Sequence, residues 1–206
     1  MLNLPALTMR RAISKEEINQ LPVLSFQEEI VFCEREKEMI AALEELNEYP
    51  VVGFDTESKP TFKKGQFHHV ALVQLAMDRK VFLFRVFETG IPQELADFFA
   101  NEDIVKVGIA LDDDIKSLQK RKKFIPRSFV DLNQVATNLL IENIGVRNLS
   151  AIFLNGRVTK GQQTSNWENR NLTIAQKRYA ATDAWVCLKI YEELAKDDLL
   201  DRYNYD

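Results

Sequence analysis

Cysteine is nearly absent from this 206-residue chain, with Cys33 and Cys187 as its whole complement. Two thiols cannot build a disulfide framework, and no Cys-x-x-Cys pair offers a zinc site, so both read as packing residues in a reducing compartment. Histidine is as scarce, with His68 and His69 side by side. An excess of positive charge is also missing. A formal charge of -4 and a pI near 5.4 exert no global pull on a polyanion, which would have to be held by a local basic patch or by metal ions. No apolar run approaches the ~20 residues needed to span a bilayer. The charges of Arg10 and Arg11 follow the short N-terminal apolar patch, whereas a secretion signal carries them in front. There is no internal repeat, low-complexity tract or interdomain linker. These absences predict a soluble, cytoplasmic protein.

What is present is enough apolar residue, 46% of the chain, to build a sizeable core. Residues 1–29 carry Pro5 and Pro22 around a short helix-capable piece in which Ser14 and Glu17 fit a capping box, and they read as an N-terminal arm. The remainder, 30–206, reads as one domain. Ile30 to Cys33 predicts a strand and Glu36 to Tyr49 an amphipathic helix, with Pro50 ending it. Val51 to Glu57 is a strand, and Val70 to Ala76 with Val81 to Phe84 form a hairpin, so the N-terminal half is expected to be antiparallel. From Pro92 the rhythm becomes helix (Gln93 to Ala100), strand (Ile104 to Ile109) and helix (Asp114 to Lys120). A short strand from Phe129 to Leu132, a helix through Leu140, a helix from Leu149 to Leu154 and a long final helix to about Lys196 follow. This alternation predicts an α/β domain with a mixed sheet.

Three acidic features interrupt that pattern. Val51-Val52-Gly53-Phe54 runs abruptly into Asp55-Thr56-Glu57, and residues two apart on a strand share a face. Two carboxylates about 4 Å apart repel by roughly 4 kcal/mol at an effective dielectric near 20, so such a strand end calls for a cation. A second apolar strand ends in Asp112-Asp113-Asp114, with Asp114 four residues before Leu118, where a helix N-terminus would favour an acid. On the final helix Tyr179 and Asp183 are four apart and share a face, with small residues between them. Singly, each has a bland reading: surface acids, a helix cap, a core tyrosine bonded to its neighbour. Converging, four carboxylates without a histidine make an oxygen-only site that favours Mg²⁺ or Mn²⁺ over zinc. Two such ions suit phosphoryl chemistry.

Phe54-Asp55-Thr56-Glu57, the Asp114 segment and Tyr179-x-x-x-Asp183 resemble the three motifs of the DEDDy 3'-5' exonucleases, the group that includes ribonuclease D. The Werner-type branch is the most similar, through Lys59-Pro60, Val70 to Leu75, Ser165-Asn166-Trp167, Leu172-Thr173 and Tyr179 to Ala184. The resemblance covers roughly residues 48–195. It implies a ribonuclease H-like mixed β-sheet with helices on both faces, and a two-metal 3'-5' exonuclease releasing 5'-mononucleotides from single-stranded 3' ends of DNA or RNA. It makes Asp55, Glu57, Asp114 and Asp183 the acids that hold two Mg²⁺ or Mn²⁺ ions, with Asp113 the alternative in the second motif. Tyr179 becomes the residue beside the attacking water. A phenol with an ordinary pKa near 10 is a poor base at pH 7, which assigns it to orienting that water. Ser58 departs from the pattern, since many Werner-type relatives carry Trp there.

For substrate contacts, Lys63, Lys64 and the run Lys120 to Lys123 are candidates for a phosphate backbone, against a solvated helix end. Phe62, Phe67 and Trp167 are candidates to stack an unpaired base, against core packing. The resemblance also implies that Thr56 meets the 3' terminus, through its backbone or its hydroxyl. The length leaves no room for the helicase or RNA-binding modules of some relatives, so a stand-alone nuclease domain is expected. The competing reading is a catalytically silent nuclease-like domain that binds nucleic acid or protein.

Overall fold

The computed structural model describes residues 9–63 and 65–200, so Lys64 and the first eight residues of the expected arm lie outside the described residues. Six strands among them form one sheet: β1 (Glu29–Cys33), β2 (Val51–Ser58), β3 (Val70–Ala76), β4 (Lys80–Phe84), β5 (Val105–Gly108) and β6 (Phe129–Asp131), in the spatial order β1-β4-β3-β2-β5-β6. β2, β3 and β4 pair antiparallel, and the β3–β4 turn is closed by Met77 N–H donating to Lys80 O at 2.8 Å. The expected antiparallel N-terminal half is corrected at β1, which lies parallel to β4 with Ile30 beside Val81. Parallel neighbours require a crossover. Here the connection runs through a helix, β2 and β3 before the chain returns beside β1. β5 and β6 continue the other side of β2 in parallel.

The helices among the described residues are α1 (Lys15–Gln20), α2 (Glu36–Leu46), α3 (Val86–Thr89), α4 (Gln93–Ala100), α5 (Leu111–Gln119), α6 (Leu132–Asn138), α7 (Val146–Leu154) and α8 (Ile174–Lys196). Ser14 and Glu17 form the expected capping box of α1, and Thr173 caps α8 in the same way with Gln176. The single turn α3 was not anticipated. One face of the sheet, carrying Phe54, Val73, Leu75 and Phe84, packs on α2, α4 and α5 through Met39, Leu43, Leu95, Phe99 and Leu118. On the other face α8 lays Ala180, Ala181 and Ala184 over Leu72, Ala76 and Leu83. Together with α6 and α7 it also covers Val107 and Val130. The layers are therefore helix, mixed sheet, helix, the ribonuclease H-like arrangement.

Two local features set the site. A Cβ at Gly53 would stand 2.0 Å from the Ala184 carbonyl oxygen, so only glycine allows α8 to come this close to β2. α5 begins at Leu111 and not at Asp114, because another acid takes its N-terminus. Asp131 accepts from Ala110 N–H at 3.1 Å and from Leu111 N–H at 3.0 Å, while Ala110 turns through the left-handed region with φ 59°. Among the described residues no helix is long and apolar enough to cross a membrane.

Candidate active site

Asp55 and Glu57 point from β2 toward α8, the face occupied by Gly53, and meet Asp183 there. One ligand oxygen from each of the three lies within 4.8 Å of the others. Among the described residues this is where acidic side chains cluster tightly enough to share a cation. β5 pairs with β2 only from Val51 to Gly53, which leaves the far end of β2 open on that side. α5 fills the opening from the opposite face. The Thr56 hydroxyl, pointing away from Asp55 and Glu57, donates to Oδ1 of Asp114. Asp114 thus stands at the edge of β2 beside the cluster and outside the three-oxygen group. Its neighbour Asp113 is exposed and borders a surface hollow with Lys116 and Lys120.

The acids are electrostatically unsatisfied. Burial raises Asp55 well above the ordinary carboxylate range, and the Asp183 and Asp114 charges add to it. Glu57 is pushed up to about 10 by burial and then by Asp55, Asp183 and Asp114. Asp183 rises to about 7 through burial, opposed by its hydrogen bond from Tyr179. Asp114 rises to about 6 for the same first reason, opposed by Thr56. Buried carboxylates raised by one another lack a positive partner. An oxygen-only set crowded to this degree fits a hard divalent cation, whose charge would allow all of them to ionise.

Tyr179 lies one turn before Asp183 and hydrogen-bonds to it. Burial and then the charges of Asp183 and Glu57 raise its phenol above the ordinary value. Behind it stands Trp167, with ring centroids 6.2 Å apart and planes inclined by 36°. Trp167 is fully buried, which favours core packing over the alternative that it stacks a substrate base. Its work is to back the Tyr179 ring. The segment that carries it is fastened by the buried Arg85, whose Nη1 and Nη2 donate to the carbonyls of Trp167 and Asn169, each at 2.5 Å. Glu168 in the same segment takes His68 Nδ1 at 2.7 Å and Lys59 Nζ at 3.3 Å, joining it to the β2–β3 connection. Burial works to raise the Glu168 carboxyl, but the bonds to His68 and Lys59 outweigh it and leave it below its ordinary value.

Phe62 and Lys63 are exposed on the β2–β3 connection, Phe62 at 82%. Phe67 lies under Lys120, whose Nζ is 4.6 Å from the ring centre, whereas Arg121 is turned inward to the Val70 carbonyl. A cavity of about 290 Å³ opens beside Tyr179 and Asp183, with Ser25, Thr159, Gln162 and Arg178 on its walls. The Ser25 wall belongs to the N-terminal segment, which Phe26 N–H ties to α8 by donating to Thr182 Oγ1 at 3.0 Å. Sequence reasoning missed Arg85, Glu168 and Asp131. An Arg in an otherwise apolar strand end was the available signal for the first. Asp131 carries a local signal only as the cap of α6, where it accepts from Asn133 N–H at 2.8 Å; its bonds to Ala110 and Leu111 and the bond of Glu168 to His68 span 21, 20 and 100 residues and leave no local trace.

A family model described as 3'-5' exonuclease matches residues 30–197. The chain belongs to the 3'-5' exonuclease family. It is 33% identical over 186 residues to the bifunctional 3'-5' exonuclease/ATP-dependent helicase WRN of Mus musculus, a match that takes in 85% of this chain. The chain spans 13% of that protein, and 39% and 25% of the next two curated relatives. The crystal structure of the Aedes aegypti Nibbler EXO domain superposes with a TM-score of 0.76 at 26% identity, covering 89% of this chain and 94% of that one. Escherichia coli RNase D shares the fold, with a TM-score of 0.72 at 19% identity over 83% of this chain and 45% of that one.

Proposed function

We propose that the protein is a divalent-metal-dependent 3'-5' exonuclease that hydrolyses phosphodiester bonds of DNA or RNA from a single-stranded 3' end and releases 5'-mononucleotides. The observation that carries this reading is the meeting of Asp55, Glu57 and Asp183 in one half-buried group, with Asp114 at the edge of the same strand. These four acids would hold two Mg²⁺ or Mn²⁺ ions. When bound, such ions acidify a water and neutralise charge building on the phosphate. Tyr179, held above its ordinary pKa, stays a phenol at neutral pH; its one O–H is given to Asp183, so its oxygen orients the incoming water by accepting a hydrogen bond from it. The cavity beside it takes the terminal part of the strand, with Arg178 on its wall as a phosphate partner. Phe62, Lys63 and the Thr56 backbone contact the substrate from the β2 side. Residues 1–29 serve as an arm to the catalytic domain 30–206, and two unpaired cysteines agree with a cytoplasmic, reducing location.

The test is digestion of 3'-labelled and 5'-labelled DNA and RNA oligomers with Mg²⁺, Mn²⁺ or EDTA, comparing the native chain with Asp55→Ala. A ladder shortening from the 3' end that needs both metal and Asp55 supports the reading, and equal activity of the variant overturns it. Binding without cleavage under every metal points to a silent nuclease-like domain instead.

A further inference from the structure

Gln74 lies in the middle of β3 with no exposure, and neither Nε2 nor Oε1 of its amide has a hydrogen-bond partner. It is flanked along the strand by Leu72 and Ala76, both packed under Ala180, Ala181 and Ala184 of α8. Its own side chain therefore leaves the sheet on the α8 face, the face of the acid cluster. Across the antiparallel pairing its partner is Asp55. Directly opposed residues of such a pair stand about 5 Å apart at Cβ and point to the same side. The Asp55 carboxylate accepts a backbone hydrogen bond from Thr56. A carboxylate offers about four acceptor positions, and a primary amide offers two N–H donors. A buried donor pair without an acceptor is thus set beside a half-buried acceptor that is short of donors.

An apolar side chain would fill the strand interior without an orphaned amide, so core packing alone does not account for glutamine here. We propose that Gln74 is a positioning residue of the metal site. When a divalent ion loads, Gln74 Nε2 donates to the Asp55 carboxylate oxygen turned away from the ion and fixes the orientation of that ligand. The inference rests on the metal-site reading above. Partners that orient a metal-binding side chain affect affinity about 10- to 100-fold when removed.

The experiment compares the native chain with Gln74→Met and Gln74→Leu, reading Mn²⁺ affinity by calorimetry, thermal midpoint without metal, and kcat and KM on an oligonucleotide. The expected result is an unchanged or higher midpoint, Mn²⁺ affinity weaker by about 10-fold or more, and a loss in kcat with KM little changed. A higher midpoint with Mn²⁺ affinity and kcat within about twofold of native overturns the proposal and leaves Gln74 a core residue only. Should both variants fail to fold, ¹⁵N spectra of the native chain decide. Addition of Mg²⁺ is expected to move the Gln74 side-chain amide protons downfield and slow their exchange with water, and no change overturns the proposal. Absence of any Mn²⁺ binding by the native chain would strike the metal-site reading itself, whereas native binding matched by the variants strikes only the role of Gln74.

Discussion

The Thr56 hydroxyl donates to the Asp114 carboxylate across the open edge of β2, on the side opposite Asp55 and Glu57. One strand therefore positions three of the four acids, two by projecting them and the third by holding it from behind. The same bond lowers Asp114 against the rise that burial imposes, so it favours the charged form. Thr56→Val keeps the shape of the side chain and removes the donor. It is expected to reduce kcat on oligonucleotides about 10-fold with the fold retained. Steady-state kinetics beside circular dichroism checks both parts, and native kcat would show that Asp114 needs no such support.

Metal removal exposes a conflict between stability and function at Asp183. Without a cation the carboxyl is raised to about 7, chiefly by burial, so near neutral pH the folded state holds a proton that the unfolded state releases. Folding thus disfavours the charged form, and stability at this group rises as pH falls from about 7 toward the unfolded carboxyl value. Asp183→Asn removes the titration and keeps a partner for the Tyr179 hydroxyl. It is expected to raise the metal-free stability at pH 8 by roughly 1–2 kcal/mol while abolishing nuclease activity. Urea unfolding in EDTA measures the first and the ladder assay the second.

The acids were legible because strand and helix periodicity are local: alternate residues of β2 and a four-residue step on α8 put Asp55 with Glu57 and Tyr179 with Asp183 on common faces. Element types followed for the same reason, as did the capping box of α1. The start of α5 was not legible, since the acid that caps it, Asp131, belongs to the next strand. Nor was the direction of β1, which is decided by pairing with a strand about 50 residues on. Trp167 was open between a stacking platform and core packing, because an aromatic in a polar loop gives no sign of burial. Arg85, which pulls that loop inward, reaches it only in three dimensions.

Arg85 is expected to matter more for the 161–171 segment than its distance from the acids suggests. Its guanidinium satisfies two carbonyls in that segment, and loss of a buried charged donor leaves both without partners. Arg85→Met is expected to cost about 3 kcal/mol of stability. It should also lower kcat, because Trp167 then no longer holds the Tyr179 ring firmly. Denaturant unfolding gives the first quantity. Near-ultraviolet circular dichroism reports the indole environment, and an unchanged aromatic band would separate the stability effect from Tyr179.

Lys106 supplies a pH dependence away from the site. It is fully buried in β5, donates to the Asn101 and Ile104 carbonyls at 2.6 and 2.8 Å, and lies 5.1 Å from the centre of the Phe129 ring. Burial lowers its ammonium to about 8 against an ordinary 10.5. Between these values the unfolded chain binds more protons than the folded one, so this group makes stability rise with pH across that window and contributes no slope below about 8 or above about 10.5. Lys106→Met lacks the titrating group. The stability difference, native minus variant, is therefore expected to be flat from pH 6 to 7.5 and to climb in favour of the native chain from pH 8 to 10.5. Chemical unfolding of both proteins across that range measures it, and a constant difference would mean that the two carbonyls and the Phe129 ring compensate the ammonium fully for its burial.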